Sequence, residues 1–153
     1  MSTNPLLGTW HLERWVITYA DGRKPSYPFG EDVQGLLVYT HDGTMSGIIA
    51  RQGRARMSSE SAKTAPQPEQ LAAFQSYFSY AGTYEIEGDD VIHHVTQALF
   101  PNLVGTDQRR RMRFEGDGLE LTAEDTVPER AARLVNTAAE LVRLRFRRRA
   151  LQL

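Results

Sequence analysis

No cysteine occurs among the 153 residues. That absence removes disulfide staples, thiolate nucleophiles and cysteine-based zinc sites together, and it fits a reducing compartment. Long hydrophobic runs are missing too: no window approaches the roughly 18 consecutive apolar residues that a membrane helix needs. A surplus of one charge is also lacking, since 18 basic residues face 19 acidic ones for a net charge of −1. The molecule as a whole therefore has no field to steer polyanions. The opening residues, Met1-Ser2-Thr3-Asn4-Pro5, carry no basic region followed by an apolar core, unlike a secretory signal. A cytoplasmic protein with no membrane partner is the expectation. No glycine-rich phosphate loop, Gly-x-Ser-x-Gly elbow or His-Glu-x-x-His is present, which argues against kinase, serine hydrolase and zinc peptidase chemistry. Nothing calls for a metal or another cofactor.

What is present reads as strands. The length suits one domain over residues 1–153, large enough to bury roughly two-thirds of the surface of its unfolded chain. Leu36 to Thr40 is a short β-branched and aromatic run. His41-Asp42-Gly43 follows as a hairpin turn, and Thr44 to Ile49 returns. Tyr84 to Glu87 alternates, Gly88-Asp89-Asp90 turns, and Val91 to Thr96 continues; Arg109 to Phe114 pairs in the same way with Leu119 to Thr122. In Leu141 to Arg147, Val142, Leu144 and Phe146 alternate with Arg143, Arg145 and Arg147, a period of two with one core face and one wet face. Residues 51–68 read as loop. Pro68-Glu69-Gln70 opens a helix of about three turns, with Leu71, Phe74 and Phe78 on one face and Tyr77 beside them, packed on the sheet as a cap or a lid. Residues 128–139 have helical composition as well.

Many short strands with hairpin turns and one or two short helices predict a mostly β fold: an antiparallel closed barrel of about eight strands, wide enough inside for one small ligand. Two dense arginine runs, at residues 109–113 and 143–149, read as the solvent faces of strands. With near-neutral total charge and no nucleic-acid motif, nucleic acid is not an expected partner. A homodimer is compatible with the sequence.

The order of several blocks resembles the bacterial and fungal lipocalin-like domain family. They are Leu7-Gly8-Thr9-Trp10, Tyr27 to Glu31, Gly35 to Ser46, Phe78 to Tyr84, and His93-His94-Val95 followed by Phe100 to Arg110. The resemblance spans residues 7–122, and residues 123–140 look longer and more helical than the family's pattern. It implies a calycin-type barrel, and similar domains accompany secondary-metabolite pathways.

Candidate site residues follow from strand parity. His93 and His94 are adjacent, so only one imidazole can face the interior, which also argues against both holding one metal. If Tyr84 and Ile86 point inward, Ile92 and His94 do likewise, and the register that decides between His94 and His93 as the inner histidine stays open. The inner one would be a structural hydrogen-bonder, a ligand-orienting donor or an acid/base. Arg109, Arg111 and Arg113 share a face that demands water, which turns Gln108 and Arg110 inward. A buried guanidinium needs a partner: a carboxylate (Glu85 or Asp107) or an anionic or carbonyl-bearing ligand. Trp10, Trp15, Tyr39, Tyr77, Phe78, Tyr80, Tyr84 and Phe100 supply either ordinary core or an aromatic cavity wall. Asn102 caps a turn or reaches into the mouth.

Two functions of different classes fit. One is binding of a small hydrophobic, aromatic or polyketide-like metabolite, oriented by His94, Arg110 and Gln108. The other is a cofactor-free cyclase, isomerase or dehydratase, with His94 or His93 as acid/base and Arg110 or a tyrosine stabilising an oxyanion.

Overall fold

The computed structural model describes residues 3–125 and 140–149. Eight antiparallel strands close into a barrel in the order β1-β2-β3-β4-β5-β6-β7-β8. They are β1 (Gly8–Tyr19), β2 (Gln34–Tyr39), β3 (Thr44–Ala50), β4 (Tyr77–Glu87), β5 (Asp90–Ala98), β6 (Asp107–Glu115), β7 (Gly118–Asp125) and β8 (Glu140–Arg148). One α-helix, α1 (Gln67–Gln75), and two 3-10 turns, Ala62–Thr64 and Pro101–Leu103, complete the described residues. Closure is made by nine residue pairs between β1 and β8, from Trp10 with Arg148 to Tyr19 with Glu140, so no sheet edge is left to template aggregation. No helix among the described residues is long and apolar enough to cross a membrane.

The two ends of the barrel are built differently. At one end tight turns join the strands: Thr40 to Gly43, Gly88-Asp89 and Gly116-Asp117. Gly43 sits at φ 87°, a conformation that only glycine adopts without strain. Here Leu6, Trp10, Tyr39, Met45, Val91 and Leu119 are each no more than 1% exposed and fill the interior. The Trp10 indole N–H donates to the Leu6 carbonyl at 2.9 Å, and the Arg148 guanidinium lies 4.3 Å from the centre of its ring. Tyr84 donates to the Thr40 carbonyl at 2.9 Å and accepts from Asn4 Nδ2 at 2.8 Å, tying the N-terminal segment across this end. At the other end the described connections are residues 20–33, 51–76 and 99–106.

The helix corrects the sequence expectation in two ways. Tyr77 and Phe78 belong to β4, not to the helix, because Ser76 ends α1 in a non-helical conformation. Leu71 and Phe74, expected against the barrel, are 56% and 51% exposed; no residue of α1 is buried. The helix is held by polar contacts instead: Arg54 Nη2 donates to the Ala73 carbonyl at 3.0 Å, and Glu69 accepts from the Ser58 backbone and hydroxyl, each at 2.7 Å. The expected helix at residues 128–139 lies outside the described residues.

Candidate functional site

Beyond the plugged end the barrel encloses a cavity of about 550 Å³. Inward side chains of six strands form most of its wall: Trp15, Leu37, Met45, Ile49, Phe78, Leu121, Leu144 and Phe146. Alternation along each strand brings these there, since Leu37 shares parity with Tyr39, and Leu144 with Phe146. Gly47 leaves room on β3. Leu103, from the 3-10 turn between β5 and β6, reaches the cavity as well. The polar part of the wall comes from β4, β5 and β6, as Tyr80, His93, Gln108 and Arg110.

His93, not His94, is the inner histidine. It is 1% exposed, opposite Tyr84 on β4 and Gln108 on β6. The sequence reading took Gly88-Asp89-Asp90 as the turn, whereas Asp90 already pairs with Glu87. The turn is one residue shorter, and a one-residue slip moves every side chain of the strand to the opposite face. His94 therefore lies outside, 37% exposed at its side chain. Its Nδ1 is 2.6 Å from Asp107 Oδ1 and its Nε2 is 3.1 Å from Glu85 Oε1. Those two carboxylates raise its pKa above the ordinary 6.5, the Asp107 hydrogen bond being the larger cause. His94 is thus an outer ion-pair residue and does not itself line the cavity.

His93 is clamped between two phenols. Its Nε2 lies 2.6 Å from the Tyr39 hydroxyl and its Nδ1 lies 2.6 Å from that of Tyr80. Burial, helped by the charges of Arg110 and His94, lowers its pKa from 6.5 to about 3, so the ring is neutral at pH 7. Burial also raises the pKa of Tyr39 and that of Tyr80, so all three groups stay uncharged.

A neutral imidazole has one donor nitrogen and one acceptor nitrogen. Tyr39 is 1% exposed and its hydroxyl has no second partner among the described residues. If it accepted from His93, its own O–H would be a buried donor without an acceptor, which costs about 1–3 kcal/mol. Satisfaction of the buried end therefore sets the direction. Tyr39 donates to Nε2, Nδ1–H donates to Tyr80, and the Tyr80 proton is left for the cavity.

Arg110 faces inward, as parity with its outward neighbours requires, but the carboxylates expected for it go elsewhere. Glu85 and Asp107 both bind His94. Arg110 instead donates to Gln108 Oε1 at 3.2 Å and to the Arg109 carbonyl at 2.8 Å, and among the described residues no carboxylate meets it. Gln108 spends its amide N–H on Thr106 Oγ1 at 2.9 Å, which leaves its carbonyl to orient the guanidinium. The outer arginines differ: Arg109 and Arg111 bind Asp90 at 2.7 Å each, and Arg147 binds Glu13 at 2.5 Å, as expected of solvated strand faces.

The remaining aromatic candidates divide. Tyr80 lines the cavity. Tyr39, Trp10 and Tyr84 pack the plugged end, Tyr39 reaching the site only through His93. Tyr77 stands under the Arg54 guanidinium, 5.3 Å from its ring centre. Phe100 is 47% exposed and Asn102 is exposed, and neither lines the cavity. Trp15 and Phe78, also among the aromatics read as core or cavity wall, do line it, Phe78 from β4 rather than from the expected helix.

Similarity to known proteins agrees with this geometry. A 4'-hydroxy-3'-methoxypropiophenone carrier protein of Aspergillus oryzae is 28% identical over 86 residues, covering 51% of this chain and 78% of that protein. Residues 7–148 match the family described as lipocalin-like domain. The chain belongs to the lipocalin-like domain family.

Proposed function

We propose that this barrel binds one small, largely apolar metabolite, of the aromatic or polyketide-like kind found in secondary metabolism, and orients it through an oxygen facing Tyr80 and Arg110. The observation that carries the reading is a barrel cavity of about 550 Å³ whose apolar walls meet one donor-rich polar wall. That volume falls in the range of small-molecule sites, where burial gives affinity and a few polar groups give orientation. A hydroxyl and a guanidinium with protons to spare favour a ligand bearing acceptor oxygens. The fungal relative supports the same class, since its name specifies an aromatic ketone.

Cofactor-free catalysis as a cyclase, isomerase or dehydratase is the second reading. Tyr80 and Arg110 together favour it, since they would also stabilise a developing oxyanion. Against it stands His93: a ring whose pKa is held near 3 is a poor proton acceptor, far from the match to working pH that general-base catalysis wants.

Titration with N-phenyl-1-naphthylamine, a neutral fluorescent probe, tests the binding reading, and 4'-hydroxypropiophenone serves as the competitor. One probe per chain is expected, with quenching of tryptophan emission because Trp15 lines the cavity. The ketone should displace the probe. Tyr80→Phe should weaken the ketone about three- to tenfold while leaving the probe unaffected. Absence of saturable binding by either molecule would sink the reading. Conversion of the ketone, abolished in His93→Gln, would replace it with catalysis.

A further inference from the structure

Three charged residues line the cavity: Asp107, Arg109 and Arg110. Two of them are answered by an opposite charge. Asp107 binds His94 at 2.6 Å, and Arg109 binds Asp90 at 2.7 Å and Glu87 at 3.2 Å. Arg110 alone among the described residues meets only neutral acceptors, Gln108 Oε1 and the Arg109 carbonyl. These two contacts engage Nη1 and Nη2 and leave guanidinium donors over, since the group carries five N–H bonds in a rigid fork. Beside it stand Tyr80, whose hydroxyl proton points to the cavity by the satisfaction argument above, and the uncharged His93. The polar wall thus carries one guanidinium with no counter-ion among the described residues, several donors, and a single carboxylate, Asp107, already engaged by His94. Arg110 is half-buried; a guanidinium partly withdrawn from water without a counter-ion is unfavourable, and its natural complement is a carboxylate or phenolate, which it can grip with two parallel hydrogen bonds.

We propose that the ligand is an organic anion, an apolar ring body carrying one carboxylate or phenolate, with Arg110 as its counter-ion and the Tyr80 hydroxyl as a second donor. The proposal rests on the binding reading above and narrows it from an acceptor-bearing molecule to an acidic one. Gln108 is a positioning residue here: its carbonyl holds one arm of the guanidinium, and its amide is fixed by Thr106.

Two probes of nearly equal shape separate charge from burial: 2-naphthoate, an anion at pH 7.5, and 2-acetonaphthone, its neutral methyl ketone counterpart. Each is titrated against the N-phenyl-1-naphthylamine complex of the full chain. The naphthoate is expected to bind about tenfold or more tightly than the ketone, in line with hydrogen bonds between charged partners. Arg110→Met, checked for folding by circular dichroism, should erase that preference, the naphthoate losing about tenfold more affinity than the ketone, which gives up only a hydrogen bond to a neutral oxygen. If Arg110→Met does not fold, Arg110→Lys carries the test, since it keeps the charge and gives up the fork, so the preference should shrink without vanishing. Equal binding of the two naphthalenes, or tighter binding of the ketone, overturns the anion proposal and leaves the cavity reading standing. A preference that survives intact in folded Arg110→Met also overturns it. Failure of both probes to bind removes the cavity reading and this proposal together.

Discussion

The plugged end and the open end of this barrel are made from the same eight strands, yet they divide the work of the molecule. At the plugged end, tight turns bring Trp10, Tyr39, Met45 and Leu119 into a packed layer with essentially no exposure. At the open end, the described residues leave about 550 Å³ unfilled. One layer supplies stability by burial; the other withholds it and thereby keeps room for a ligand. The row Tyr39–His93–Tyr80 joins the two. Tyr39 belongs to the packed layer, Tyr80 to the cavity, and the imidazole between them turns the need to satisfy a buried hydroxyl into the orientation of a cavity donor. A structural constraint at one end thus sets a binding property at the other.

The strongest way to break the comparison acts on both ends at once. Gly82 sits where β4 and β5 shift register by one residue. A Cβ there would lie 1.9 Å from the His94 carbonyl oxygen, a contact that only backbone movement can relieve. Gly82→Ala should therefore cost more than about 4 kcal/mol and prevent cooperative folding, read as loss of a sharp thermal transition. Gly47→Ala, on the cavity wall, adds a methyl that meets Leu37 Cδ1 at 3.4 Å, so it should fold and melt close to the parent. A folded, unperturbed Gly82→Ala would mean that the register shift is not rigid and that His93 is not fixed by it.

His93 gives the next largest effect. Unfolded, it titrates near 6.5; folded, burial lowers that to about 3. Between those values the unfolded chain binds a proton that the folded chain refuses, so stability falls as pH drops from about 6.5 towards 3. The lost contribution is on the order of 4 kcal/mol. His94 works in the opposite sense: its raised folded pKa adds stability at low pH, and that contribution disappears as pH climbs through the folded value. Urea unfolding at pH 7.5 and at pH 4 separates them. His93→Gln should flatten the acid-side decline, and an unchanged slope would show that the buried ring does not stay neutral.

The fold was legible because each half-buried strand records its own parity. In Leu141 to Arg147 the arginines mark the wet face, and in Arg109 to Arg113 they turn Arg110 inward without any structural knowledge. The site was legible only where such markers exist. Nothing in Val91-Ile92-His93-His94-Val95 marks a wet face, so its parity hung on the length of the turn before it. Asp90 reads as a turn residue, yet it serves as a strand residue that gathers Arg109 and Arg111. The aromatics misled for a related reason: burial and cavity lining demand the same side chains, and only position along the barrel axis separates Trp10 in the plug from Trp15 at the ligand. For α1 the apolar spacing of Leu71 and Phe74 suggested a packed face, whereas its tertiary contacts are polar.

The smallest effect is the sharpest test of the division between faces. His94 is adjacent to His93 in sequence and bears two carboxylate partners, so by contact alone it looks the more elaborate residue. Its partners are well exposed, with Glu85 and Asp107 side chains 60% and 64% open to solvent, where water and salt screen the pairing. His94→Gln should leave the affinities of N-phenyl-1-naphthylamine and 4'-hydroxypropiophenone where they are. His93→Gln, by contrast, should weaken the ketone several-fold, because glutamine cannot span Tyr39 and Tyr80 as the imidazole does and the Tyr80 proton loses its direction. Displacement titrations on the two variants side by side decide it. Equal losses in both would mean that the outer pair feeds into the cavity through the β5 backbone, and that one strand's two faces are not energetically separate.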